Sequence, residues 1–328
     1  MIEVEHLSKI YGSTSAITDV TFSVEPGEIL GLLGPNGAGK TTTMRILAGY
    51  LPATGGTLKI AGYDIHENSL AVRQKIGYLP ETPPLYSEMT IEGFLHFVAR
   101  IKGVSAGDRP EKVQAAMQRC NLQDKGKVII RKLSKGYKQR VGIAQAIVHD
   151  PPAIILDEPT VGLDPRQIID VRNLIKSLAG THTIILSTHI LPEVSMTCNR
   201  VAIINRGKVV ATNTPENLMT QLTGGAGYEL EITGEVALAK QVLKNVAGVI
   251  LVESMPTTDH NRTHLRVISQ PETEPGKDIA AALIHRGFGL YQMRRVNATL
   301  EDVFLQLTTE EKNLPLEADT VTTEGEAA

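Results

Sequence analysis

Three stretches of this chain are apolar almost end to end: "EILGLLG" from Glu28, "AIILDEP" from Ala153 and "TIILSTH" from Thr183. A strand buried on one face alternates apolar and polar residues. A run without alternation is buried on both faces, as in a parallel sheet covered by helices. A helical pattern follows each run, which predicts βα units around a parallel core sheet. Alternation does occur in "IEVEHL" and "VTFSV", which predict half-exposed strands, and "KVVATNTPENLM" predicts a last strand entering a closing helix. From roughly residue 85 to 150 the period becomes helical. In "MTIEGFLHFVARI", Thr90 is placed to cap a helix on which Ile91, Phe94, Leu95, Val98 and Ile101 share one face.

The composition changes at "LTGGAGYELEITG", where paired glycines predict a linker. Beyond it, strand-like "YELEIT", "VILVESM", "HLRVIS" and "LYQMRRV" interleave with helix-like "VALAKQVLKNV" and "DIAAALIHRGF", and helix-like "TLEDVFLQL" closes the series. That order is βαββαβ plus a final helix, a split-βαβ (ferredoxin-like) module. The expected division is a first domain over 1–222, an accessory α+β module over 226–309, and an acidic disordered tail over 310–328.

Composition narrows the partners. The 328 residues are 42% hydrophobic and 21% charged, an ordinary globular mix, and the net charge of -3 argues against a broad grip on nucleic acid or anionic lipid. Cys120 and Cys198 form no CxxC pair and predict inert, reduced thiols. No apolar run approaches the roughly 18 residues that span a bilayer, and "MIEVEHLSKIYG" lacks a signal-peptide pattern. The expectation is a cytoplasmic protein that meets any membrane through a partner. His260, His264 and His285 recur at no ligand spacing and predict packing rather than a metal site.

The chemistry lies where the apolar strands end. "GLLGPNGAGKTTTMRI" contains GxxxxGKT from Gly34 to Thr41, between a strand and a helix. Such glycines let successive N–H groups turn toward phosphate oxygens, and the following helix adds its positive end. Lys40 is placed to reach β- and γ-phosphates, and the Thr41 hydroxyl to bind Mg²⁺. "AIILDEPT" delivers Asp157 and Glu158 to a strand's carboxyl end. Asp157 suits water-mediated Mg²⁺ binding, and Glu158 suits orienting and deprotonating an attacking water. "STHI" brings His189 to the same edge as a γ-phosphate contact.

With these motifs in this order, residues 1 to about 220 resemble the ATP-binding cassette (ABC) ATPases. Tyr11 matches the aromatic that stacks on adenine. Gly34, Pro35, Asn36, Gly37, Ala38, Gly39, Lys40, Thr41 and Thr42 match the Walker A loop. Asp157 matches the Walker B aspartate, and Glu158 the catalytic glutamate. Gly162, Leu163, Asp164 and Pro165 match the D-loop, and His189 the switch histidine. The resemblance implies an α/β P-loop NTPase fold with a parallel core sheet, an antiparallel β subdomain and a helical subdomain. It also implies ATP and Mg²⁺ as ligands.

Two motifs depart from the family pattern. Leu133, Ser134, Lys135, Gly136 and Tyr137 stand where the family has LSGGQ; Ser134 and Gly136 are kept. Glu81 in "GYLPET" stands at the Q-loop glutamine, where a carboxylate can contact Mg²⁺ but cannot donate hydrogen bonds as an amide does. In the family, the signature helix of one cassette faces ATP held by the Walker A loop of another. A chain with one copy of each therefore implies a head-to-tail pair, with an identical chain as the expected second subunit. "NATLEDVFLQLT" resembles the C-terminal extension of type 2 export ATPases for multidrug, sodium or gliding-motility systems. The expected function is the ATPase subunit of an exporter, peripheral on the inner membrane face through a separate permease, with "PPLYSEM" as the contact. The alternatives are a soluble ABC ATPase acting on nucleic acid or ribosomes, and the ATPase of an uptake system.

Overall fold

A computed structural model describes residues 1–222, 227–255, 262–270, 273–296 and 300–309. The predicted tail at 310–328, the linker glycines and His260 lie outside the described residues. The chain divides into two compact units, Met1–Gly224 and Gly225–Ala328.

In the first unit the three apolar runs become the strands Ile29–Leu33, Ala153–Asp157 and Thr183–Thr188, every residue of which is buried. They are central in a six-stranded sheet ordered Lys208–Asn213, Arg200–Asn205, Ile29–Leu33, Thr183–Thr188, Ala153–Asp157, Ile76–Leu79. Pairing is parallel except at the Lys208–Asn213 edge. A second, antiparallel sheet is ordered Thr14–Val24, Ile2–Tyr11, Gly55–Ile60, Tyr63–Asp64. One core joins the two sheets: Val4, Phe22 and Leu58 share it with Leu30, Leu32 and Ile155 around Met44 and Leu47.

The helical segment contains Ile91–Ile101, Arg109–Arg119 and Lys135–Ile147. Thr90 caps the first of these, its Oγ1 accepting from the Gly93 N–H at 3.1 Å. Ile91, Phe94, Leu95 and Val98 are buried as the stripe predicts, but Ile101 is 65% exposed. The inward position at that end passes to Lys102, whose Nζ donates to the carbonyls of Arg73 at 3.1 Å and Ile76 at 3.0 Å.

The Ile76 carbonyl also accepts from His149 Nε2 at 3.1 Å, while His149 Nδ1 is buried without a partner. Burial, and then the Lys102 charge, push the imidazole pKa down from 6.5 to about 4. His149 is therefore neutral in the folded chain at pH values where the unfolded chain already protonates it. Folded stability should fall as the pH drops from 6.5 to about 4, by at most about 3 kcal/mol from this residue. Melting temperatures measured across that window should fall less steeply for His149→Gln than for the wild type.

The second unit is a four-stranded antiparallel sheet ordered Val249–Met255, Thr263–Ser269, Gly227–Thr233, Gly289–Val296. Its core sets Tyr228, Leu230, Ile232, Leu265 and Val267 against Ala239, Leu243, Ile279 and Leu283 of two helices. His264 pairs across the sheet with Glu231. Among the described residues no group of three or more His, Cys, Asp or Glu side chains is arranged to hold a metal.

Candidate nucleotide site

Sheet register assembles the site. Leu33 lies beside Thr188 and Asp157 beside Ser187, so the loops leaving three parallel strands share one edge. An open cleft of about 640 Å³ occupies it, lined by Pro35, Asn36, Gly37, Gly39, Lys40, Thr41 and Thr42 together with Glu81, Glu158 and His189. Thr14, Ser15, Ala16, Val161 and Arg206 complete the wall; none of these was singled out in the sequence.

The phosphate loop is built against its neighbours. Gly39 has φ 104°, and a Cβ there would lie 2.6 Å from Ile17 Cγ2 and 2.8 Å from the Ala16 carbonyl. A Cβ at Gly34 would lie 2.4 Å from the Ile204 carbonyl. These glycines are needed by packing as well as by a ligand. The two-residue turn Arg206–Gly207 has φ 46° and 80°. It is fastened to the loop by Gly207 N–H donating to the Ala38 carbonyl at 2.9 Å.

Charged groups are concentrated and buried. Lys40 Nζ donates to the carbonyls of Gly34 at 2.7 Å and Pro35 at 3.2 Å, and lies 4.0 Å from Glu158 Oε1. Desolvation lowers the Lys40 pKa, opposed by Glu158, Asp157 and Glu81. The Asp157 carboxyl, 1% exposed, is pushed up by burial although Ser187 Oγ donates to its Oδ1 at 2.5 Å. Glu158 has φ 49°, an uncommon conformation for a non-glycine residue. Its N–H donates to the Ser187 carbonyl and to Ser187 Oγ, each at 3.1 Å. Its carboxylate oxygens lie 3.0 and 2.9 Å from His189 Nδ1, which that pairing makes the protonated nitrogen.

The arrangement provides a lysine, a glycine-rich loop and an ordered carboxylate–imidazole pair over one cleft, which suits phosphoryl transfer to water. Comparisons agree. The family model described as ABC transporter matches residues 17–161. The Nod factor export ATP-binding protein I of Paraburkholderia xenovorans (strain LB400) is 33% identical over 311 residues, covering 94% of this chain and 97% of the relative. This chain belongs to the ABC transporter family. It is an ABC ATP-binding subunit with an ATPase cassette. The linearmycin resistance ATP-binding protein LnrL of Bacillus subtilis (strain 168) is 31% identical over 86% of each chain. A solved ATP-binding subunit of an ABC transporter aligns with a TM-score of 0.62 at 34% identity, over 67% of this chain and 92% of the other.

Other predicted ABC residues are placed differently. Tyr11 pairs with Thr14 at the end of its strand, but its ring is 47% exposed, lies under Lys9 Nζ and does not line the cleft. Gly34, Ala38 and Asp157 are absent from the cleft lining. Asp164 Oδ1 accepts from the N–H groups of Arg166 and Gln167, each at 3.0 Å, and so caps the Pro165–Leu178 helix. Ser134 and Gly136 are absent from the cleft lining. Ser134 is the N-cap of Lys135–Ile147. A Cβ on Gly136 would lie 2.6 Å from Gln167 Cδ, so Gly136 also has a packing role within its own chain. Tyr137 lies under Lys125 Nζ, 4.9 Å from its ring centroid.

Proposed function

We propose that two copies of this cassette close head-to-tail on two Mg-ATP molecules, and that hydrolysis reopens them to drive export through a separate membrane permease. The observation that carries this reading is the split of the motifs. One cleft gathers Lys40, Thr41, Glu81, Glu158 and His189, while Ser134 and Gly136 of the same chain stay outside it. A second chain's signature helix would close the cleft.

In this mechanism the Gly34–Thr42 loop and Lys40 bind the β- and γ-phosphates, and the adenine extends beyond the cleft lining to stack on the exposed Tyr11. Glu158 takes a proton from the attacking water, and its bond to His189 fixes the carboxylate while His189 contacts the γ-phosphate. The donor set fits Mg²⁺: the Thr41 hydroxyl, Asp157 and Glu81 are hard oxygen ligands, and burial leaves the Asp157 carboxylate poorly solvated. Bound Mg²⁺ would neutralise charge developing on the phosphate oxygens.

No helix among the described residues is long and apolar enough to cross a membrane, in keeping with a permease as separate partner. In "PPLYSEM", Tyr86 is 54% exposed with its ring edge against Phe94 and Phe97, and Pro84 lines a groove with the exposed Tyr50; these offer docking positions for a cytoplasmic permease segment. The names of relatives over nearly the whole chain support export rather than uptake. The subunit would then lie on the inner face of the membrane.

Turnover itself tests the pairing. Because the active unit needs two chains, ATP hydrolysed per chain should rise with chain concentration and level off once pairing is complete. Magnesium chelation should abolish it. Turnover independent of concentration, from a chain shown by light scattering to stay monomeric, would remove the head-to-tail reading.

A further inference from the structure

Glu193 is a buried acid with no part in the mechanism above. It lies in the first turn of Leu191–Thr197 and is 5% exposed. Its Oε2 accepts from Thr160 Oγ1 at 2.8 Å and from Thr188 Oγ1 at 3.2 Å. Thr160 follows Glu158 by two residues, and Thr188 immediately precedes His189. One carboxylate oxygen therefore ties together the loops that carry the two catalytic side chains. Thr188 Oγ1 accepts in turn from the Ile190 N–H at 3.0 Å, extending the connection past His189. On the opposite side, Ser187 holds the Glu158 N–H and the Asp157 carboxylate. Glu158 and His189 are bracketed on both sides.

Burying a carboxylate for packing alone is costly, since a buried charge needs compensation that an apolar side chain does not. Desolvation holds the Glu193 carboxyl above its ordinary range, and the two threonine bonds only partly counter it. Its second oxygen, Oε1, is buried without any partner. An apolar residue would fill this volume without that cost but could not accept from both hydroxyls.

We infer that Glu193 is a positioning residue for hydrolysis, which keeps the Glu158 carboxylate and His189 in register by holding Thr160 and Thr188 on one oxygen. The inference rests on the roles given to Glu158 and His189 above. Because Thr160 lies in the stretch leading into the D-loop, the same oxygen would carry D-loop displacement to His189.

Glu193→Gln keeps an acceptor oxygen of the same reach, whereas Glu193→Ala removes it. Thr160→Val and Thr188→Val remove one donor each while keeping shape. Glu193→Ala should lower kcat by roughly ten- to a hundredfold, the scale on which misplacing reacting groups acts. KM for ATP and the equilibrium affinity for a fluorescent ADP should be unchanged. Glu193→Gln should keep most of the wild-type kcat. The two valine variants should each lose part of it, and neither should add to the loss in Glu193→Ala. In the nucleotide-free protein, the NMR signal of the His189 ring should shift in Glu193→Ala and stay near its wild-type position in Glu193→Gln.

An unchanged kcat, a loss confined to KM, or an unmoved His189 signal in a folded Glu193→Ala protein would overturn the inference. So would a kcat loss in Glu193→Gln matching that of alanine. Glu158→Gln serves as the reference. If that variant hydrolyses ATP normally, the catalytic reading has failed. If it is inactive while Glu193→Ala is normal, only the positioning role has failed.

Discussion

Glu158→Gln should abolish steady-state ATP turnover, by roughly 10²- to 10⁴-fold as for loss of a general base, while leaving ATP binding intact. The amide has the volume of the carboxylate and still offers an oxygen to His189 Nδ1, now at 3.0 and 2.9 Å from the two carboxylate oxygens. It cannot take a proton from water. The side chain is almost wholly buried. Lys40, 4.0 Å away, keeps the Gly34 and Pro35 carbonyls and the nearby Asp157 and Glu81 charges as partners, so neutralising Glu158 should not unfold the chain. With hydrolysis blocked, Mg-ATP should hold the closed pair, which gel filtration with light scattering would register as a doubled mass. Mg-ADP should not produce it. Turnover within tenfold of wild type, measured by phosphate release, would exclude Glu158 as the base.

The site was legible where strand burial and loop chemistry coincide in one short stretch. "AIILDEP" and "TIILSTH" announce both a buried parallel strand and the polar residues at its end, so parallel register puts Asp157 beside Ser187, with Glu158 and His189 just beyond the two strand ends. The family order of motifs then separates the cleft from the signature helix. Glu193 was not legible. A glutamate in a helix's first turn is common for reasons of dipole and capping, and its partner Thr160 lies 33 residues away. Arg206 was hidden for a similar reason, since it reaches the cleft through a hairpin turn rather than a motif. In the antiparallel sheet, "IEVEHL" and "VTFSV" foretold only part of the two strands they belong to. The strands run Ile2–Tyr11 and Thr14–Val24. Register shifts near Val4, Leu7 and Lys9, with positive φ at His6 and Asp19, break the two-residue period from which strands are read. Ile101 marks the limit of helical periodicity: the stripe places it inward, yet it faces solvent while Lys102 turns in.

Ser134→Arg should abolish turnover and Mg-ATP-driven pairing while the isolated chain binds nucleotide with wild-type affinity. The cleft of the same chain does not include Ser134, so its own phosphate loop, Lys40 and Glu158 are untouched. Within the chain the substitution removes an N-cap, whose Oγ accepts from the Tyr137 N–H at 3.5 Å. That bond is long, and capping is worth about 1 kcal/mol in general, so a melting temperature a few degrees lower is the expected structural cost. Gly136, two residues on, is pressed against Gln167, so packing in that first turn persists without the serine hydroxyl. What the arginine destroys lies between chains. In the proposed head-to-tail pair, a long side chain at the helix mouth would fill the space where a partner's γ-phosphate approaches, and the hydroxyl proposed to meet it would be gone. Nucleotide affinity read by equilibrium binding, beside turnover and mass in Mg-ATP, separates the two effects. Wild-type turnover in Ser134→Arg would show that the signature helix contacts no nucleotide. Lost affinity in the isolated chain would place Ser134 in its own cleft instead.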